Sequence, residues 1–179
     1  MTMTISRRAL LPLGFALTPL AALLVAGCAD DGGPWPEGML PIKWDRDACL
    51  RCKMAISDRR FAVQVRGGPR AEAFKFDDIG CAVSWCHDKR KDHPWTADAA
   101  TRWWVAESRS DGHQWLDARR AQFIAGPRSP MGYDLLAVAA EQPGSVDFDT
   151  MARKVVETWP VGCSPAESAR RAAAAGSAA

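Results

Sequence analysis

An almost uncharged apolar run over residues 9–26 sets the first limit on what this chain folds into. It follows Arg7-Arg8 and is closed by Gly27-Cys28. A basic start, an apolar middle and small residues at the break form the pattern of an export signal. Residues 1–27 are therefore expected to be removed and to add nothing to a core. The run is about as long as the shortest bilayer-spanning helix, but Pro12, Gly14 and Pro19 interrupt it. Cleavage at Cys28 is the better expectation than an uncleaved anchor. The folded part should then work outside the cytoplasm, where disulfides form and soft metals are met.

The stretch Leu24-Val25-Ala26-Gly27-Cys28 resembles a lipobox, whose cysteine takes lipid, palmitate included, and becomes the mature N-terminus. A lipoprotein facing the periplasm is expected. The outer membrane is the expected address, because Ala29 is not the usual inner-membrane retention residue. Residues 28–43, with Asp30-Asp31-Gly32-Gly33-Pro34, read as a flexible tether. Residues 44–160 read as the folded domain, and the Ala-rich residues 161–179 as a disordered tail. Of 23 Lys and Arg, two lie in the leader, so the remaining 21 balance 21 Asp and Glu. A neutral domain argues against nucleic acid, whose phosphates call for a basic face. It suits a protein that meets other proteins or small cargo.

Strands are predicted at 61–66 and 73–76, split by Gly67-Gly68-Pro69. Asp77 or Asp78 is expected to cap a helix over 79–90. Strands at 102–108 and 114–116 flank the turn Asp111-Gly112, and a last helix covers 149–158. A faint repeat links Met54, the apolar run from Phe61, Phe74-Lys75-Phe76-Asp77-Asp78 and a helix to a second series. That series is Met131, the run from Leu135, Val146-Asp147-Phe148-Asp149-Thr150 and a helix. The expected class is α+β: two similar ββαβ-type halves about a pseudo-twofold axis, packed as one domain, with Met54 and Met131 brought together.

Beyond Cys28, the cysteines are Cys49, Cys52, Cys81, Cys86 and Cys163. An odd number in an exported protein leaves a thiol unpaired or makes it a ligand. Cys49-Leu50-Arg51-Cys52-Lys53-Met54 puts three sulfur donors within six residues, and thiolate with thioether selects Cu(I). Cys52 and Met54 share a side of an extended segment, and Met131 is a donor from across the fold. The candidate ligands are thus Cys49, Cys52, Met54 and Met131. Three other readings compete: a thiol–disulfide pair Cys49/Cys52, a structural zinc site of Cys49, Cys52, Cys81 and Cys86, and plain disulfides with methionines filling space. Cys81 reads as a small buried residue, Cys86-His87 as structural, and His93 and His113 as exposed. No hydrolytic Ser/His/Asp pattern and no phosphate loop is present, so no enzyme is expected.

Taken together, the chain resembles the NosL family, lipoprotein copper chaperones of nitrous oxide reductase maturation. The likeness rests on Cys28, Cys49-x-x-Cys52-x-Met54 with Ile56-Ser57-Asp58, Phe76-Asp77-Asp78-Ile79-Gly80-Cys81 with Trp85, Trp115-Leu116-Asp117-Ala118, and Pro130-Met131-Gly132-Tyr133. It implies one Cu(I) held by Cys52, Met54 and Met131. It also implies transfer to the periplasmic component of an ABC-transporter complex, with nitrous oxide reductase as final acceptor. The Cys86-His87 pair and Cys163 are departures from the pattern.

Overall fold

A computed structural model describes residues 35–158. The leader, Cys28, and the tail with Cys163 lie outside the described residues. The chain is α+β, with two antiparallel sheets and two α-helices among the described residues.

The main sheet has the order β2-β1-β3-β4. Its strands are β1 (Val63–Gly67), β2 (Glu72–Phe76), β3 (Arg102–Ala106) and β4 (Trp115–Asp117). β1 is central, pairing Val65 with Phe74 on one side and Trp103 on the other. The β1–β2 turn falls where the glycines place it, with Gly68 at φ +73°. Trp95 fills the space beside Gly67 and Gly68, where any Cβ would collide with its ring. Trp95 belongs to a short 3-10 turn, Pro94–Ala97, which the sequence reading missed.

Helix α1 (Ile79–Asp88) packs against β1 and β2. It is buried at Ile79, Cys81, Ala82, Val83 and Cys86. It stops short of Arg90 because Lys89, Arg90 and Lys91 are exposed and Pro94 then redirects the chain.

A second hairpin, β5 (Gln122–Ala125) with β6 (Leu135–Val138), pairs Phe123 with Ala137. Helix α2 (Phe148–Thr158) follows and packs on α1, burying Met151 and Val155. Spaced four apart, these two make one stripe. β5 is only four residues long, too short for its alternation to register.

The hairpin-then-helix order therefore occurs twice. The first unit, β1-β2-α1-β3, is ββαβ; the second is β5-β6-α2 up to Thr158. The alignment of the two methionines does not hold. Met54 precedes β1, whereas Met131 sits inside the β5–β6 connection. The apolar runs that suggested the match are β1 and β6, the first strand of one hairpin and the second of the other.

β3 carries Trp103 and Trp104, both buried, on opposite faces. Trp103 meets Phe148 of α2 edge-on at 5.3 Å. Trp104 lies under the segment around Gly38. That segment corrects the tether expected over 28–43. Met39 and Ile42 are buried, each worth roughly 2 kcal/mol. Trp35 stacks with Trp44 and Trp115 at centroid distances of 6.3 and 5.4 Å. Gln64, fully buried in β1, donates to Leu40 O at 2.7 Å and accepts from Leu40 N at 2.8 Å. The packed domain thus includes residues 35–43.

Candidate metal centre

The Cys49–Met54 segment is a tight loop rather than an extended strand. The bridge Ala48–Ala55 closes it, with Cys49 N donating to Met54 O at 2.8 Å and Lys53 N to Cys49 O at 3.0 Å. Lys53 is left-handed, φ +67°, a conformation costing about 1 kcal/mol outside glycine. It turns the Met54 amide back onto the Cys52 sulfur. Two tethers fix the loop: Leu50 N donates to Lys75 O at 2.9 Å, and Arg51 pairs with Asp88 at 3.0 Å.

The loop faces the N-terminal end of α1. The sulfurs of Cys49, Cys52 and Cys81 and a carboxylate oxygen of Asp77 all lie within 4.8 Å of one another. Cys49, Cys81 and Asp77 are buried; Cys52 is half-buried and opens the cluster to solvent. All three cysteines are free thiols. The Cys52 thiol donates to Asp77 Oδ2 at 3.2 Å. Asp77 Oδ1 is buried with no hydrogen-bond partner among the described residues, a state costing about 1–3 kcal/mol.

Hydrogen bonds from the Cys49 and Cys81 thiols, helped by the Met54 amide, hold Cys52 far below the ordinary thiol range, at about 4. Cys81, the donor to Cys49 and Cys52 and itself buried, is pushed up. Burial, with the Cys49 sulfur nearby, raises Asp77 to about 7. Of the cluster's thiols, Cys52 at the open side is therefore the one held lowest.

Asp78, not Asp77, is the cap of α1. Its Oδ1 accepts from Gly80 N at 2.9 Å, and its Oδ2 from Ser129 Oγ at 2.5 Å. The Met131 backbone also bonds to Asp78. Ser129 and Asp134 exchange two further bonds that close the 129–134 loop. Tyr133 lies across Gly80, where a Cβ would fall inside its ring. The half-buried Met131 is thereby docked on Asp78, the chain neighbour of Asp77.

Of the four predicted ligands, Cys49 and Cys52 meet in the cluster. Met54 is half-exposed at its lip, bonded to Cys52 through its amide, and Met131 is docked through Asp78. One expectation is corrected and another resolved. Cys81 is not a mere space-filler but belongs to the cluster, and of the two expected caps it is Asp78 that caps α1, which leaves Asp77 to the cluster. Asp77 and Cys81 stand four apart at a helix start, the spacing that shares a face, and that signal was present in the sequence. The zinc set containing Cys86 does not form. Five residues from Cys81, Cys86 points about 140° away around the helix. It lines a cavity of about 800 Å³ with His87 and Arg119 instead, and burial raises it to about 12. The Cys49/Cys52 pair sits in a loop rather than opening a helix, unlike a thioredoxin-type pair. His93, expected exposed, is packed among Phe74, Trp85 and Trp95.

Three thiol sulfurs make a soft donor set, and the orphaned Asp77 oxygen adds a harder one. Cys49, Cys52, Cys81 and Asp77 are thus suited to hold a metal ion.

No family model matches the sequence, and no curated protein matches it. Among solved structures, the chain is similar to the copper chaperone NosL from Shewanella denitrificans. The TM-score is 0.47 at 16% identity, covering 67% of this chain and 86% of that one.

Proposed function

We propose that this protein is a Cu(I) carrier, not an enzyme, anchored by lipid at Cys28 and facing the periplasm. The observation that carries this reading is the convergence of three thiols at a site open on one side. A carrier needs soft ligands to select monovalent copper, and it needs a route by which a partner's ligand can enter. Cys52, a half-buried free thiol, supplies both. Copper is the cargo. Cys52 and Cys49 would grip it, with the thioethers of Met54 at the lip and Met131 from the docked loop completing a low-coordinate set. Transfer then proceeds by exchange, with an incoming sulfur replacing Met54 first because that side chain is the exposed one.

The motif likeness of the sequence supplies the client. Copper would pass to the periplasmic component of an ABC-transporter complex and on to nitrous oxide reductase. In this reading the lipid at Cys28 is the anchor; no helix among the described residues is long and apolar enough to cross a membrane.

The test uses the full chain in detergent, reduced and loaded anaerobically with Cu(I). Native mass spectrometry should show one copper per chain. Cys52→Ser and Met131→Ala should each weaken binding strongly in competition with a chromogenic Cu(I) chelator. Unchanged affinity in both variants would overturn the assignment.

A further inference from the structure

A second feature lies on another side of α1, away from the cluster. The cavity of about 800 Å³ is walled by α1, by α2 and by the 3-10 turn at Pro94–Ala97. Val83, Trp103, Phe148 and Val156 give it an apolar floor, and Cys86 stands in its wall. Cys86 is a free thiol, 8% exposed. Trp103, 5% exposed, keeps a buried indole N–H that has no partner among the described residues. An apolar recess bordered by a bare buried donor calls for an occupant.

The chain itself supplies one. Val156 and Glu157 line the cavity, and α2 ends at Thr158. The sequence continues as Trp159-Pro160-Val161-Gly162-Cys163. Pro160 cannot extend the helix, Trp159 and Val161 are apolar, and Cys163 is the next sulfur. Five residues beyond Thr158 reach up to about 17 Å, enough to return Cys163 to the wall that Val156 shares with Cys86. The cysteine count agrees. Of the five beyond Cys28, Cys49, Cys52 and Cys81 belong to the cluster, which leaves two. Cys86, turned about 140° from Cys81 around the helix, faces away from those three.

We propose that residues 159–163 fold back over this cavity and that Cys163 forms a disulfide with Cys86, closing the recess and stapling α2 to α1. The oxidant is a disulfide. The Cys163 thiolate attacks it, forming a mixed disulfide and releasing one thiol. Cys86 sulfur then attacks Cys163 sulfur and releases the second, each departing thiol taking a proton. Two protein thiols are oxidised and one external disulfide is reduced. In the cell, the oxidant rests on the periplasmic address proposed above. The pairing itself uses no copper ligand and stands apart from the carrier assignment.

The test supplies the oxidant. The reduced full chain, in detergent, is oxidised with glutathione disulfide, blocked with N-ethylmaleimide and digested without reductant. Mass spectrometry should find a peptide pair joining Cys86 to Cys163. Oxidation should raise the thermal midpoint of the wild type by about 10 °C, since the bond closes a long loop. That rise should vanish in Cys163→Ser and in Cys86→Ala, which separates it from any oxidation within the cluster. If Cys86→Ala does not fold, Cys163→Ser decides alone. Cys163 recovered as its maleimide adduct would overturn the pairing. So would Cys163 joined to Cys49, Cys52, Cys81 or a second copy of the chain. A Cys86–Cys163 pair that leaves the midpoint where it was would overturn the staple.

Discussion

The two helices begin with the same device and use it in opposite ways. At α2, Asp147 is exposed and accepts from Thr150 N at 2.7 Å. That bond holds its carboxyl below the usual range. At α1, Asp78 is fully buried, accepts from Gly80 N, and is raised to about 7 by burial. Local capping chemistry is common to both. Surroundings decide the rest. The exposed cap only starts a helix, while the buried one also clamps the 129–134 loop through Ser129.

The strongest way to break this contrast is at Gly80. An alanine there should gain about 1 kcal/mol from helix propensity alone. The Tyr133 ring occupies the Cβ position, so Gly80→Ala should instead lower stability by about 3 kcal/mol, read from denaturant midpoints. A gain would mean that the loop is not docked.

Next in size is Asp78→Ala, which removes a cap and strands Ser129. A loss of about 2–3 kcal/mol is expected, with weaker Cu(I) binding as Met131 loses its dock. Asp78→Asn, which keeps the shape and one acceptor, should lose less.

The pH dependence sharpens the contrast further. Asp78 and Asp77 are raised in the fold, so their contribution is full below the ordinary carboxyl value near 3.8. It is lost as pH rises towards about 7. Asp147 is lowered, so its contribution is present above 3.8 and lost on acidification. Over about pH 4–7 the two carboxyls should therefore lower the stability of the metal-free protein. Cys52, which is held low, contributes in the opposite direction and offsets this in part. Asp78→Asn should remove one of the two destabilising contributions. A slope unchanged in Asp78→Asn would contradict the buried cap. The smallest effect is Asp147→Ala, expected to shift the thermal midpoint less than any Asp78 variant. Equal shifts would erase the difference between the two caps.

Much of the first unit was legible because its signals are local. Gly67-Gly68-Pro69 forced the turn, an aspartate capped α1, and Cys-x-x-Cys with Met54 marked the loop. What escaped was whatever depends on contacts distant in sequence. Asp77 becomes a candidate ligand only because Cys52, 25 positions earlier, is folded against it. Asp77 and Asp78 look alike in sequence, and only the packing separates one as a donor from the other as a cap. The second unit was harder, since β5 is four residues long and α2 buries only Met151 and Val155. The repeat was real in order but misplaced in register, because apolar content does not tell the two strands of a hairpin apart.

The clasp between the Gln64 amide and Leu40 decides where the domain can be cut. A truncated version starting at Trp44 would strip away both partners of that amide and uncover Trp104, so it should express poorly and aggregate. Beginning at Trp35 keeps the clasp and the aromatic cover, and gives biophysicists a sound starting point for a tag-friendly, lipid-free protein.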